Sequence, residues 1–295
     1  MRELVLVTGA TGKQGGAVAR ALLDKGFRVR ALTRDPSNRA LQSLVSRGAE
    51  IAVGDLDDSA TLRRALNRVD GVFTYGVYSA QAAHETGRGS VGYEVEQGCR
   101  LVDLAYEAKI SYFVYGSVAS ADRHTGVPHF DTKGQVEQHI HDIGLPATIL
   151  RPVFFMQNWE RLRAEIMQTG ALTQPLRRDT QHCQISVQDI AAFAARVFST
   201  PERWIGRAAE LCGDVLTMEE TAQTMSRVLA RDIDYVQEPW HEFENRQGRE
   251  STLMFRFFEE RGFEADPVTL RSEIPTALTL EGYLRSADWG ARADP

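Results

Sequence analysis

The feature that most constrains the fold of this chain is the glycine-rich turn GATGKQG at residues 9–15. It lies between an apolar run, Leu4–Val7, typical of a strand buried on both faces, and a stretch with helical apolar spacing. In this spacing the first glycine allows a tight turn, the second lets the backbone approach a pyrophosphate, and the third lets helix and strand pack closely. A purely structural turn is the alternative. We expect a dinucleotide to bind Gly9, Thr11, Gly12, Lys13, Gln14 and Gly15.

Strand-like and helix-like segments alternate through the first half of the chain. Further strands are predicted at 29–33, 51–54, 71–75, 112–115 and 147–151. Helices are predicted between them at 14–25, 37–46, 59–67, 93–108 and 133–143. This alternation predicts an α/β protein with a doubly wound parallel sheet of the Rossmann type.

The alternation changes after Pro152, where helical segments and shorter strands follow one another less regularly. We predict a cofactor-binding Rossmann domain at 1–152, to which residues 186–212 return. Residues 153–185 and 213–295 would form a smaller C-terminal α/β lobe for a substrate or partner. In that lobe Thr217 and Glu220 have the spacing of a capping box, which predicts a helix start.

The end of the second predicted strand indicates which dinucleotide binds. NAD sites usually carry an acidic residue there, whereas this chain has Arg34, whose guanidinium can pair bidentately with a 2′-phosphate. This pattern favours NADP(H). Asp35 is the counter-argument, because a shift of one residue would restore an acidic ribose partner. Asp55 and Leu56, closing the third strand, would border the adenine, although Asp55 could equally cap the next helix.

Composition excludes several other classes of protein. The net charge of −6 is spread over interspersed acids and bases, without a basic block or helix-turn-helix pattern, which argues against direct nucleic-acid binding. No apolar run approaches the roughly 18 residues of a membrane helix. The three cysteines have neither C-x-x-C nor metal-ligand spacing. We expect a cytoplasmic protein without a metal or membrane contact.

Several segments together resemble the NmrA-like family, which comprises atypical short-chain dehydrogenases/reductases. The 129–137 segment, HFDTKGQVE, is especially similar to the HSCARG-like, NADPH-sensing branch. The similar segments are 9–16, 33–36, 54–58, 112–117, 129–137, 151–158, 186–190, 254–258 and 277–280.

The resemblance implies positions for the catalytic groups. Reducing members of the superfamily use a Tyr-x-x-x-Lys pair and an earlier serine; here Lys133 and Ser117 match, but His129 replaces the tyrosine. His129 could be a substitute acid, a pocket residue or an ordinary loop histidine. Lys133 is expected on the nicotinamide ribose, the alternative being a solvated helix lysine. Ser117 could also be only a small residue at a tight strand end.

The resemblance also implies further cofactor contacts. It places Gly76, Val77 and Tyr78 beside the cofactor, and Phe155 and Asn158 by the nicotinamide. One departure concerns the helix after strand four. HSCARG-like proteins carry a cofactor-contacting lysine where this sequence has Glu96.

Two functions fit these observations, and a dinucleotide-binding protein with neither activity is a third reading. The first is a redox-sensing regulator that lacks the catalytic tyrosine and binds a regulatory protein partner according to the NADPH level. The second is an NADPH-dependent reductase of quinones, azo dyes or similar small acceptors, for which hydride transfer needs little acid help. A homodimer is compatible with either.

Overall fold

The computed structural model describes residues 3–76 and 90–289. Its strands are β1 Leu4–Val7, β2 Arg28–Thr33, β3 Glu50–Val53, β4 Gly71–Tyr75, β5 Tyr112–Gly116, β6 Ala147–Pro152, β7 Phe154–Phe155, β8 Ala171–Gln174, β9 Gln181–Ile185, β10 Ala208–Leu211, β11 Asp214–Thr217 and β12 Asp234–Gln237. Its α-helices are α1 Lys13–Asp24, α2 Gln42–Val45, α3 Ser59–Leu66, α4 Ser90–Glu107, α5 Pro128–Asp142, α6 Arg163–Thr169, α7 Val187–Ser199, α8 Pro201–Trp204, α9 Met218–Leu229, α10 Trp240–Gln247, α11 Arg249–Glu260, α12 Pro267–Glu273 and α13 Leu280–Ser286. Short 3-10 helices lie at Arg39–Leu41, Ala121–Arg123 and Met156–Arg161.

The central sheet has seven strands in the order β10-β6-β5-β4-β1-β2-β3. The strands β6, β5, β4, β1, β2 and β3 each run parallel to their neighbours in this order. The chain therefore winds outward from β1 in one direction and then from β4 in the other. This confirms the predicted doubly wound Rossmann sheet. In such sheets ligands bind at the carboxyl ends of the strands where the winding reverses, here between β1 and β4.

One face of this sheet packs on α3, α4 and α5. Alternate strand residues such as Leu6, Val72 and Phe113 point to that face and are completely buried. Leu62 of α3 and Leu101 of α4 lie in the same cluster. Because side chains on parallel strands are buried on both faces, the strands read as nearly continuous apolar runs in the sequence. This core fixes the ends of β1, β4 and β5, where the candidate site lies.

The chain divides into two compact units. The first consists of residues 1–124, 128–151 and 190–209, and the second of 125–127, 152–189 and 210–295. The second unit contains a three-stranded sheet, in which β9 pairs with β11 and β7, and a parallel pair of β8 and β12. The predicted capping box is present, because the side chain of Thr217 accepts from the N–H of Glu220 and the Glu220 carboxylate accepts from the N–H of Thr217.

Aromatic rings fill the core of the second unit around a histidine. His182 of β9 is 1% exposed. Its ring centroid lies 4.6 Å from that of Phe154, 5.0 Å from Phe258 and 6.1 Å from Trp159. Its Nε2 has no hydrogen-bond partner among the described residues. Burial lowers the pKa of His182 to about 3, so the ring is held neutral.

Two helix predictions were wrong in their bounds. The helix predicted to open at Lys133 begins at Pro128, since proline fits the first helical position without losing a hydrogen bond. The helix predicted at 37–46 is a 3-10 turn and the single turn α2. Short turns thus replace the predicted helix at 37–46, whereas α5 begins earlier than predicted.

Two of the cysteines are neighbours, which their sequence spacing does not indicate. The Cys212 thiol donates to the carbonyl of Asp214 at 3.3 Å, and its interaction with Cys183 lowers the pKa of Cys183. Both residues are buried in the second unit. In the described parts of the chain, no helix is long and apolar enough to span a bilayer and no cluster of side chains is suited to a metal ion.

A buried carboxyl group of the second unit contacts the C-terminal region of that unit. Asp189 is 5% exposed, and its Oδ2 accepts a hydrogen bond of 3.0 Å from the N–H of Leu278. Burial raises the pKa of Asp189 to about 6 although this hydrogen bond acts in the opposite direction. Ionising the carboxyl group therefore costs more in the folded chain than in the unfolded chain.

We expect Asp189→Asn to stabilise the protein more at pH about 8 than at pH about 4, by about 2 kcal/mol. Because the pKa is raised on folding, the folded chain binds more protons between these pH values, and the free energy of unfolding falls as pH rises through them. An asparagine avoids that cost and can still accept from Leu278. Urea unfolding at both pH values measures the difference. Asp179→Asn, at a side chain that is 85% exposed, is the control; equal gains at both pH values would contradict the expectation.

Candidate functional site

The glycine turn joins β1 to α1 at the reversal point of the sheet. Gly9 has φ +58°, a left-handed conformation that glycine adopts without strain, and its carbonyl accepts from the N–H of Gly12 at 2.9 Å. A Cβ on Gly15 would lie 2.4 Å from the Gly9 oxygen, so only glycine permits this close packing. Gly12 precedes the helix in an extended conformation without a side-chain cap. The N-terminus of α1 is therefore built to receive an anion.

Gln14 places a buried side-chain amide beside the turn. The residue is 6% exposed, and its Nε2 has no hydrogen-bond partner among the described residues. A Cβ on Gly116, at the end of β5, would lie 3.0 Å from that nitrogen. Since a buried amide without a partner costs free energy, this donor fits a ligand that lies across the ends of β1 and β5.

Arg34 and Asp35, the two charged residues after β2, have different surroundings. The Asp35 carboxylate accepts hydrogen bonds from the hydroxyl and the N–H of Ser37, at 2.5 and 2.9 Å, and these bonds lower the pKa of Asp35. The acid is thus directed to its own chain in an Asx turn. The neighbouring Arg34 is exposed directly after the strand. Of these two exposed residues, the acid is the one that the local turn binds.

The loop after β3 is held by helix α4. The Arg100 guanidinium donates to the carbonyl of Leu56 at 2.9 Å, and the Tyr93 hydroxyl donates to Asp57 at 2.5 Å. The hydrogen bond to Asp57 raises the pKa of Tyr93 to about 12, while the charge of Arg34 acts in the lowering direction. The Asp55 carboxylate accepts from the N–H of Asp57 and so shapes this turn. The residues expected near the adenine thus form an ordered loop near Arg34.

Lys133 forms an ion pair with a buried acid that sequence reasoning missed. Its Nζ lies 2.5 Å from Oε1 of Glu94, and the Thr132 hydroxyl donates to Oε2 at 2.6 Å. The Glu94 side chain is 1% exposed. A Cβ on Gly76 would lie 2.0 Å from Oε1, so the carboxylate also packs on the end of β4. The signal in the sequence is the helical spacing that puts Glu94 on the apolar face of α4, together with Leu101.

His129 and Lys133 lie one turn apart on α5. The carbonyl of His129 accepts from Lys133 Nζ at 3.3 Å, and its ring packs edge-on against Phe130 with centroids 4.7 Å apart. His129 is therefore a helical residue rather than part of the irregular chain that the preceding Val127 and Pro128 indicated.

Ser117 directs its hydroxyl to a buried carboxylate. It donates to Glu137, which also pairs with the Arg151 guanidinium. Arg151 contacts Asp122 as well, at 2.8 Å. Ser117 would have to leave Glu137 before it could orient a substrate carbonyl, so this network gives the serine a structural role.

The other residues expected near the cofactor lie in both units. Gly76 is at the end of β4, whereas Val77 and Tyr78 lie outside the described residues. Phe155 of β7 and Asn158 of the 3-10 helix belong to the second unit and are half-buried. Glu96, where the resemblance led us to expect a lysine, is exposed on α4.

The fold and the glycine turn define a Rossmann-type α/β protein. The chain belongs to the NmrA-like family, whose model matches residues 1–284.

Three proteins illustrate its similarities. The NAD(P)H azoreductase of Xenophilus azovorans is 29% identical over 234 residues, which cover 79% of this chain and 76% of that protein. The structure of an NADPH-dependent quinone oxidoreductase of Escherichia coli with NADPH superposes with a TM-score of 0.81, at 21% identity over 96% of this chain and 99% of that one. The structure of NmrA, a negative transcriptional regulator, with NADP gives a TM-score of 0.78, at 20% identity over 98% and 99%.

Proposed function

We propose that the chain binds NADP(H) along the carboxyl ends of β1, β2 and β4. The observation that carries this proposal is the pair Arg34 and Asp35: the guanidinium is exposed while the carboxylate is bound to Ser37. In this reading the turn at Gly12 receives the pyrophosphate and Gln14 donates to the ligand. Similar proteins with NADPH or NADP in their structures support the choice of cofactor.

We propose that the protein is an NADPH-dependent reductase of small conjugated acceptors such as quinones or azo compounds. A bound reduced nicotinamide supplies the hydride, and solvent can supply the proton because the acceptor's ring system stabilises the product anion. Such acceptors do not need a tyrosine acid. This suits a chain in which His129 stands at that position and Ser117 is bound to Glu137. The similarity to an azoreductase favours this activity.

A redox-sensing regulator of the HSCARG-like kind is the second candidate. The similarity to the structure of NmrA, a transcriptional regulator, supports it, as does the absence of the tyrosine from the Tyr-x-x-x-Lys position. A sensor must bind NADPH and NADP⁺ with different affinities, because equal binding cannot shift its conformation. It would act through a regulatory protein partner rather than through turnover.

One assay distinguishes these functions. We expect the purified protein to oxidise NADPH with at least one member of a panel of quinones and azo dyes at more than roughly 1 s⁻¹, a low ordinary enzyme rate. Absence of turnover throughout the panel, together with tighter binding of NADPH than of NADP⁺, would instead support the regulator.

A pair of glycine variants tests whether turnover uses the proposed turn. A Cβ on Gly12 would lie 2.8 Å from the Tyr75 hydroxyl oxygen and 3.2 Å from the Gly9 oxygen, so Gly12→Ala should remove most NADPH binding and turnover. Gly92→Ala is the matched control, because its Cβ would meet nothing within 4 Å. Turnover that survives in Gly12→Ala would place the reaction elsewhere.

A further inference from the structure

The last residue of β4, Tyr75, reaches the glycine turn with its side chain. Its hydroxyl lies 3.4 Å from the carbonyl oxygen of Gly9, toward which it donates. Because β4 is the direct neighbour of β1, the ring extends across the reversal point of the sheet. The hydroxyl thus lies against the first glycine of the turn.

The Tyr75 hydroxyl occupies the space left by the missing glycine side chains. A Cβ on Gly9 would lie 2.5 Å from its oxygen, and a Cβ on Gly12 would lie 2.8 Å from it. In this type of turn the second glycine is bare so that a pyrophosphate can approach the backbone. Tyr75 approaches the same space from the side of the sheet.

The O–H of Tyr75 is a hydrogen-bond donor without a partner at normal hydrogen-bond distance in the turn. A tyrosine hydroxyl has one O–H donor and can accept from more than one group. The O–H is directed to Gly9 at 3.4 Å, which is long for a bond between two oxygens. Burial raises the pKa of Tyr75, so the group remains a neutral donor.

We propose that Tyr75 is a direct ligand of the cofactor's pyrophosphate. Its O–H turns from the Gly9 carbonyl to a phosphate oxygen. The proposal rests on the binding of NADP(H) at this turn. It assigns to a side chain of β4 a contact that the glycine spacing alone attributes to the backbone.

Tyr75→Phe tests the proposal by calorimetric titration of each protein with NADPH. The variant keeps the ring and removes the donor to a charged oxygen, so the Kd for NADPH should rise by about tenfold to a hundredfold. Adenosine 2′-monophosphate, which carries the 2′-phosphate but no pyrophosphate, should bind both proteins within about twofold. This second ligand distinguishes loss of one contact from general damage.

Tyr112→Phe is the matched control. Its hydroxyl is 2.6 Å from that of Thr148 at the opposite end of the sheet, so this variant also loses a buried hydrogen bond but should bind NADPH as the wild type does. Unchanged binding in Tyr75→Phe would overturn the proposal, and tighter binding would show that the phenol competes with the pyrophosphate. If Tyr75→Phe weakens the binding of NADPH and of adenosine 2′-monophosphate equally, the proposal is overturned as well. A wild-type protein that binds no NADPH would refute the proposed function itself.

Discussion

Arg34→Glu should weaken NADPH binding by about a hundredfold or more while changing NADH binding by less than about threefold. Loss of a bidentate charge-assisted contact with the 2′-phosphate costs on the order of 1.5–3 kcal/mol, and the new carboxylate adds repulsion. NADH has no 2′-phosphate, so its binding neither loses that contact nor suffers that repulsion. Calorimetric titration of wild type and variant with both cofactors measures the two changes.

The matched control for this prediction is Arg47→Glu. Arg47 is also an exposed arginine of the first unit, but it pairs with Asp24 at the far end of α1. Its replacement should leave both affinities unchanged, apart from the small effect of the net charge. If Arg34→Glu weakens NADPH and NADH equally, Arg34 does not contact the 2′-phosphate and the cofactor assignment is wrong.

The second large effect is a loss of stability in acid that His182 causes. Its pKa is about 3 in the folded chain and near 6.5 when unfolded, so the unfolded chain binds more protons between these values. The free energy of unfolding therefore falls as pH decreases from about 6.5 to about 3. The contribution of this one group is on the order of 4 kcal/mol.

His182→Leu should remove this part of the pH dependence. The leucine cannot take up a proton, so urea unfolding between about pH 7 and pH 4 should give a flatter curve than the wild type. His241→Leu, at a side chain that is 77% exposed, is the matched control and should keep the wild-type curve. The same slope in wild type and His182→Leu would show that His182 is not held neutral by the aromatic cluster.

The parts of the fold that were predictable depend on local patterns. The apolar run of β1, the glycine turn and the capping box at Thr217 each specify their conformation within a few residues. The central sheet could be predicted because right-handed connections between such units leave few arrangements. The cation after β2 could be predicted because its position follows from the strand end.

The remaining parts of the site depend on contacts between distant residues. Glu94 is 39 positions from its partner Lys133, and Tyr75 is 66 positions from Gly9. Nothing local in the sequence identifies these pairs, because they arise only when β4 and α4 take their places in the sheet. The pair of Cys183 and Cys212 arises in the same way.

The turn at Asp35 bears on how the cofactor preference of such a protein can evolve. An acid that could bind a ribose diol is already encoded beside Arg34, but Ser37 holds its carboxylate in place. Replacing Arg34 alone would therefore leave neither a phosphate partner nor a diol partner at the strand end. A change from a phosphate partner to a diol partner at the strand end therefore needs two substitutions, one at Arg34 and one at Ser37. A lineage that lost Arg34 before Ser37 would pass through a weakly binding intermediate.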